Sequence, residues 1–278
     1  MSLTADRLTP ALGADITGLD PRAEITAEVA DALHDLIMEH QVIFLRDFDL
    51  SPTKMAELGR ALGTLGARHH SYVTHQDSED VVIIEWKDDD LPDAAEWHAD
   101  MTYRATPPFA SILKGVVIPP AGGDTLWASM YSVYDSLPTG LKDDLANLEA
   151  VHDMGAFRTP AYRDGGNDGV LDAYTSAGTA VHPMIAHHPV TGRPYLNVSE
   201  SFTRFIIGLS APEGGRLLTE LFDRINRPEH HVRLRWKPST IAIWDNRGTQ
   251  HYAVADYLPH RRVMHRVAVV EDAREPAS

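Results

Sequence analysis

Trp97-His98-Ala99-Asp100, answered far downstream by a single His251, constrains this chain more than any other feature. If these residues serve one site, the fold must bring two distant segments into contact. Side chains alternate faces along a strand, so on a strand His98 and Asp100 point one way and Ala99 the other. Two imidazoles and one carboxylate cover one face of a metal ion and leave positions open for other ligands. Both Fe(II) and Zn accept such a set. Each piece alone is weak evidence, because the chain holds 15 His residues and an isolated His is more often a surface or packing residue than a ligand.

Composition narrows the classes. A length of 278 residues suits one large domain or two small ones, and a single domain over residues 1–278 is expected. A formal net charge of −15 argues against a nucleic-acid partner and against docking on anionic membranes, both of which need a basic face. With no Cys there are no disulfides, thiolate metal sites or thiol nucleophiles, which fits a reducing compartment. The first residues lack the apolar run of a signal peptide, and no apolar stretch is long enough to span a bilayer. A cytoplasmic, soluble protein is the expectation.

The pattern along the chain mixes many short strands with a few helices. Strands are expected at Ala14–Thr17, Gln41–Leu45, Val81–Ile84 and Ala110–Val117, and later at Val232–Trp236, Thr240–Trp244 and Arg262–Val269. Helices are expected at Ile25–His40, capped by Thr26, from Ser51 through Leu62, at Ser136–Leu148 and at Pro212–Asn226. His182–His188 and Arg193–Val198 read as two strands joined by a Pro189–Gly192 turn. Lys87–Glu96 reads as an acidic loop leading to the His98 strand. Residues 158–180 read as a long mobile loop, and Asp272–Ser278 as a frayed end.

The wording around the three ligand candidates is more specific than the ligands themselves. Trp97-His98-Ala99-Asp100-Met101-Thr102-Tyr103 is followed by Pro107-Pro108 and by Gly122-Gly123-Asp124-Thr125-Leu126-Trp127. Later come Ile243-Trp244-Asp245-Asn246-Arg247-Gly248-Thr249-Gln250-His251-Tyr252-Ala253 and Arg261-Arg262-Val263-Met264-His265-Arg266. In this order the blocks resemble those of the taurine dioxygenase-like (TauD/TfdA) family of Fe(II)- and 2-oxoglutarate-dependent dioxygenases. The resemblance runs from about Gly13 to about Val267.

The resemblance implies a mainly β fold with flanking helices, a double-stranded β-helix or jelly-roll barrel. It implies Fe(II) held by His98, Asp100 and His251, with 2-oxoglutarate and O2 as cosubstrates and succinate and CO2 as coproducts. Arg262, assisted by Thr125, would hold the far carboxylate of 2-oxoglutarate, since a guanidinium pairs with a carboxylate in a planar bidentate fork. Arg266, four residues on and facing the same side of a strand, would bind the anionic group of the prime substrate. His70, Phe157 and Phe202 would line the pocket with it. Asn246 would orient groups around the distal His. The expected activity is hydroxylation of an unactivated C–H bond in a small anionic substrate, a sulfonate, sulfate or carboxylate, by a homo-oligomer (dimer or tetramer).

Two departures bear on the substrate. Where taurine-specific members carry Asn and Tyr, this chain has Ala94 and Val73. A site that loses such hydrogen-bonding groups selects less for a small polar substrate, so taurine is not expected. A non-catalytic anion-binding barrel and a Zn hydrolase on a related barrel are the alternatives. The first would show a broken ligand set, and the second would have no use for Arg262 with Thr125. Trp97 and Trp244 are read as packing residues. The pairs His187-His188 and His230-His231 are read as surface residues, for want of a nearby carboxylate.

Overall fold

A computed structural model describes residues 3–66, 72–88, 95–154 and 178–275. Its strands in chain order are β1 (Thr4–Arg7), β2 (Ala14–Thr17), β3 (Val42–Leu45), β4 (Gly63–Leu65), β5 (Val73–His75), β6 (Ser78–Trp86), β7 (Ala110–Val117), β8 (Thr125–Ser129) and β9 (Glu149–His152). They continue with β10 (Ala180–Pro183), β11 (Ile185–His187), β12 (Pro194–Leu196), β13 (Thr203–Ile206), β14 (His231–Leu234), β15 (Ile241–Asp245), β16 (Thr249–Ala253) and β17 (Arg262–Asp272). The helices are α1 (Ala27–His40), α2 (Pro52–Leu62), α3 (Met130–Asp135), α4 (Thr139–Leu145) and α5 (Ala211–Ile225). None of the described helices is long and apolar enough to cross a membrane.

The large sheet runs β1-β2-β3-β15-β7-β17-β6-β5, with β4 also paired to β17. A smaller sheet, β14-β8-β16, faces it. Alternation along the central strands builds two cores from one sheet. On β15, Ile241 and Ile243 point outward, where they pack with Leu33 and Ile37 of α1 and Met55, Leu58 and Leu62 of α2. Ala242 and Trp244 point inward and meet Trp127 of β8 and Val232 and Leu234 of β14. The rings of Trp127 and Trp244 lie edge to face, with centroids 5.6 Å apart. A slip of one residue in β15 would exchange these two sets, so burial on both faces fixes its register. Two facing sheets with helices outside one of them make the jelly-roll barrel.

Local signals account for most boundaries. Thr26 accepts the Val29 N–H at the start of α1, and Ser51 accepts that of Lys54 at the start of α2. Helix α1 ends where Gln41 takes φ 66° and turns the chain into β3. Its buried face is Ala30, Leu33, His34, Ile37 and His40.

The expected single helix Ser136–Leu148 is instead two short ones. Helix α3 begins earlier, capped by Ser129 on the Ser132 N–H at 3.1 Å. It stops at Asp135 because Pro138 lacks an N–H and forces the residue before it out of helical geometry. The chain resumes as α4 and ends at Leu145, and residues 149–152 are the strand β9. Residues 185–187 and 194–196 pair as expected, but His182 belongs to a separate strand, β10, which pairs with β9. Asp272, expected to open a frayed end, is ordered into the fold, and residues 276–278 lie outside the described residues. Asp272 is buried at the end of β17, where it holds His34 Nε2 at 2.8 Å and Arg247 at 2.9 Å. The loop expected at 158–180 lies outside the described residues except for its last three, and so do residues 89–94 of the acidic segment.

Candidate active site

His251 stands on β16, an outer strand of the smaller sheet. His98 lies directly opposite it. The His98 N–H donates to the His251 carbonyl at 3.1 Å, and the His251 N–H returns a bond to the His98 carbonyl at 2.8 Å. This is an isolated one-residue bridge, and the two ring centroids are 4.1 Å apart. The chain does not continue as a strand, which corrects the alternation expected for His98 and Asp100. It turns at Asp100, and Met101 takes φ 53°.

Asp100 is held from the turn between β15 and β16. Asn246 accepts the Asp100 N–H at 2.7 Å and donates to the Asp100 and Pro108 carbonyls, each at 3.1 Å. Asn246, expected to orient groups around the distal His, clamps the backbone of the Asp100 turn.

The three side chains converge. Asp100 Oδ1 is 4.0 Å from His98 Nε2 and 3.8 Å from His251 Nε2. All three residues are buried. These separations are too long for hydrogen bonds, so buried donor atoms face one another across a gap. The gap fits an ion reached at about 2.0–2.2 Å by nitrogen and carboxylate oxygen. His98 Nδ1 lies 2.8 Å from the Glu96 carbonyl, and donating its proton there leaves Nε2 as a lone pair. Burial, then the neighbouring His98, pushes the His251 imidazole down to about 3, so it is neutral and free to ligate. Burial would raise the Asp100 carboxyl, but the Arg266 guanidinium, helped by the hydrogen bond from Ser111, outweighs it and holds the group well below the usual range. A neutral imidazole pair with an ionised carboxylate is the donor set a divalent metal requires.

The other carboxylate oxygen is occupied. Asp100 Oδ2 accepts from Arg266 Nη2 at 2.5 Å and from Ser111 Oγ at 3.0 Å. Arg266 thus sits at the ligand set, with its buried Nε unpartnered among the described residues. Arg262 lies on the same strand, β17, and is also buried. Its Nε donates to the Gly123 carbonyl at 3.1 Å and its guanidinium lies 5.7 Å from the Tyr257 ring centroid; among the described residues Asp124 acts on it only from beyond ion-pair distance. Gly123 has φ +70°, and a Cβ there would come 3.1 Å from Arg262 Cδ. The glycine lets the loop pass this close to the guanidinium. Thr125 is buried at the start of β8, where its Oγ1 accepts from Trp236 Nε1 at 2.9 Å.

Phe202 forms a wall of the site. It is buried, 6.1 Å centroid to centroid from His98 and 5.4 Å from Tyr103. Trp244 packs 4.9 Å from the His251 ring. His70 and Phe157 lie outside the described residues, as does Ala94. Val73 lies on edge strand β5 and is 75 % exposed rather than enclosed in a pocket.

Two of the histidines expected at the surface are buried. His188 is 1 % exposed, with Nε2 2.8 Å from Asp245 Oδ2. Arg247 bridges Asp245 at 3.1 Å and Asp272 at 2.9 Å. His230 is 6 % exposed and lies 2.8 Å from Ser132 Oγ. The partners are remote in sequence, so a search for nearby carboxylates misses them. Ser111 and Tyr103 also went unnamed as site residues. The alternation of β7, with Leu113 inward, is the signal that places Ser111 inside.

The family model described as "Taurine catabolism dioxygenase TauD, TfdA family" matches residues 4–268. An alkylsulfatase of Acinetobacter baylyi is 32 % identical over 274 residues, covering 95 % of this chain and 83 % of that protein. An alpha-ketoglutarate-dependent sulfate ester dioxygenase of Pseudomonas putida is 31 % identical, covering 93 % and 86 %. The crystal structure of a taurine dioxygenase from Burkholderia xenovorans superposes with a TM-score of 0.82 at 30 % identity, covering 98 % of this chain and 90 % of that one. With the motif order, the barrel and the ligand set agreeing, the chain belongs to the TauD/TfdA family of dioxygenases.

Proposed function

We propose that this 2-oxoglutarate-dependent non-haem iron dioxygenase hydroxylates a small anionic substrate of the sulfate-ester class at the carbon bearing the ester oxygen. Hydroxylation there makes a carbon with two oxygen substituents, which collapses to an aldehyde and inorganic sulfate. The observation that carries the reading is the pair of guanidiniums on one face of β17. Arg262 is buried without a carboxylate partner among the described residues. Arg266 stands at the ligand set with Nε unpartnered. A reaction with two anionic reactants, 2-oxoglutarate and a sulfate ester, has a cation for each. The two relatives named for sulfate-ester chemistry support that choice of anion.

Bound Fe(II), with 2-oxoglutarate and O2 as cosubstrates, supplies the oxidising chemistry and yields succinate and CO2. His98, Asp100 and His251 would hold the metal and leave its remaining positions open. Arg262, assisted by Thr125, would hold the 5-carboxylate of 2-oxoglutarate by charge-assisted hydrogen bonds. Arg266 would hold the sulfate group and so fix the reacting carbon near the metal, where orientation carries much of the rate. Phe202, Tyr103 and Trp244 keep water from the ligand side chains.

A single domain over the chain and a homo-oligomeric, cytoplasmic enzyme complete the reading. Sedimentation of the purified chain tests the oligomer.

The central test is turnover of a panel of hexyl sulfate, hexanesulfonate, taurine and hexanoate with Fe(II), 2-oxoglutarate and air. Succinate and inorganic sulfate are measured together. Hexyl sulfate should give equal amounts of both. Succinate without sulfate release from hexyl sulfate, or selective turnover of taurine, would refute the substrate class.

A further inference from the structure

Ser111 is the second residue of β7 and is fully buried. Its neighbour Ile112 points to the helix side of the sheet, and Leu113 points to the barrel interior. Alternation therefore turns Ser111 inward. A buried hydroxyl is costly unless hydrogen-bonded, and this one uses both of its roles. It donates to Asp100 Oδ2 at 3.0 Å and accepts from Arg266 Nη2 at 3.2 Å.

The consequence is a division of labour between the two oxygens of Asp100. Oδ2 is engaged by Ser111 and Arg266, while Oδ1 faces His98 Nε2 and His251 Nε2 at 4.0 and 3.8 Å. A carboxylate free to rotate offers a metal either oxygen or both. Arg266 alone is a poor lock, because its guanidinium is also the group offered to the substrate anion. Among the described residues the hydroxyl of Ser111 bonds only Asp100 and Arg266.

We propose that Ser111 is a positioning residue of the metal site. Its hydroxyl makes Asp100 present Oδ1 alone, and keeps it so when Arg266 turns to a substrate anion. This rests on reading His98, Asp100 and His251 as the metal ligands. The open metal positions are needed for 2-oxoglutarate and O2, so a second carboxylate oxygen on the metal would compete with the reaction.

The test compares Ser111→Thr with Ser111→Val. These side chains are nearly isosteric, so the packing change is shared and the hydroxyl is the difference. Co(II) affinity by calorimetry and the visible Co(II) spectrum are recorded for each. Ser111→Thr should resemble the wild type. Ser111→Val should bind Co(II) about tenfold more weakly, as partners that orient metal ligands typically do when removed, and its spectrum should shift. In an Arg266→Met background the gap between Thr and Val should widen, because the hydroxyl is then the remaining side-chain partner of Oδ2 among the described residues. If the larger side chains do not fold, Ser111→Ala against wild type gives the same comparison. Equal affinities and identical spectra would overturn the role of Ser111. A gap that does not widen without Arg266 would overturn its role in holding Asp100 when the arginine leaves. Failure of the wild type itself to bind Co(II) would instead refute the metal-site reading on which this inference rests.

Discussion

Replacing Asn246 with Ala tests whether the turn at Asp100 is held from the far end of the chain. Asn246 is 1 % exposed and makes three side-chain hydrogen bonds, to Asp100 N at 2.7 Å, Asp100 O at 3.1 Å and Pro108 O at 3.1 Å. Each is worth a net ~0.5–1.5 kcal/mol, so their joint loss costs about 3 kcal/mol. For a chain of this size, 1 kcal/mol moves Tm by roughly 2–4 °C, which predicts a fall of roughly 6–12 °C. The same change frees the backbone that aims Asp100, so Mn(II) affinity should drop by about 10-fold or more. Asn246→Asp keeps an acceptor for the Asp100 N–H but loses both donors, and should retain part of neither carbonyl bond. Thermal unfolding followed by circular dichroism, together with Mn(II) titration, reads both effects. A variant with Tm within about 2 °C of wild type and unchanged Mn(II) affinity would refute the clamp.

Arg262→Ala should raise the 2-oxoglutarate requirement at least tenfold, since truncating one side of a sheltered charge pair costs roughly 2–5 kcal/mol. Mn(II) binding should hardly change, and an unchanged 2-oxoglutarate affinity would remove the assigned role. Arg266→Ala should abolish coupled turnover of the anionic substrate while 2-oxoglutarate still binds. It withdraws a cation from Asp100, so Mn(II) should bind as tightly as in wild type or more so; weaker binding would show that Arg266 is structural. Burial would raise the Asp245 carboxyl, but Arg247 and His188 outweigh it and bring it from 3.8 to about 2. A depressed carboxylate adds stability that is present above its unfolded value and lost as pH falls through the folded one. Stability should therefore fall between about pH 4 and pH 2, and Asp245→Asn should flatten that part of the curve measured by urea unfolding.

Short-range signals were legible in the residues themselves. Thr26 and Ser51 cap helices because a side-chain oxygen meets an N–H three residues on, and β15 is a two-faced strand because every second residue is apolar on each side. The blocks around His98 and His251 likewise held the three side chains, His98, Asp100 and His251, that converge in the barrel. What the order of residues leaves open is decided by contacts between distant segments. His98 and Asp100 were expected to share a strand face, but only sheet pairing with His251 and the reach of Asn246 create a bridge followed by a turn. His188 finds Asp245, and Ser111 finds Asp100, only after β7, β15 and β16 are in register. Burial then makes those pairings matter, because a polar group taken out of water must find its partner wherever the fold has carried it. Arg266 shows the division most plainly. Its place on an inward strand face follows from its spacing to Arg262, whereas its hold on Asp100 exists only because the barrel closes around both.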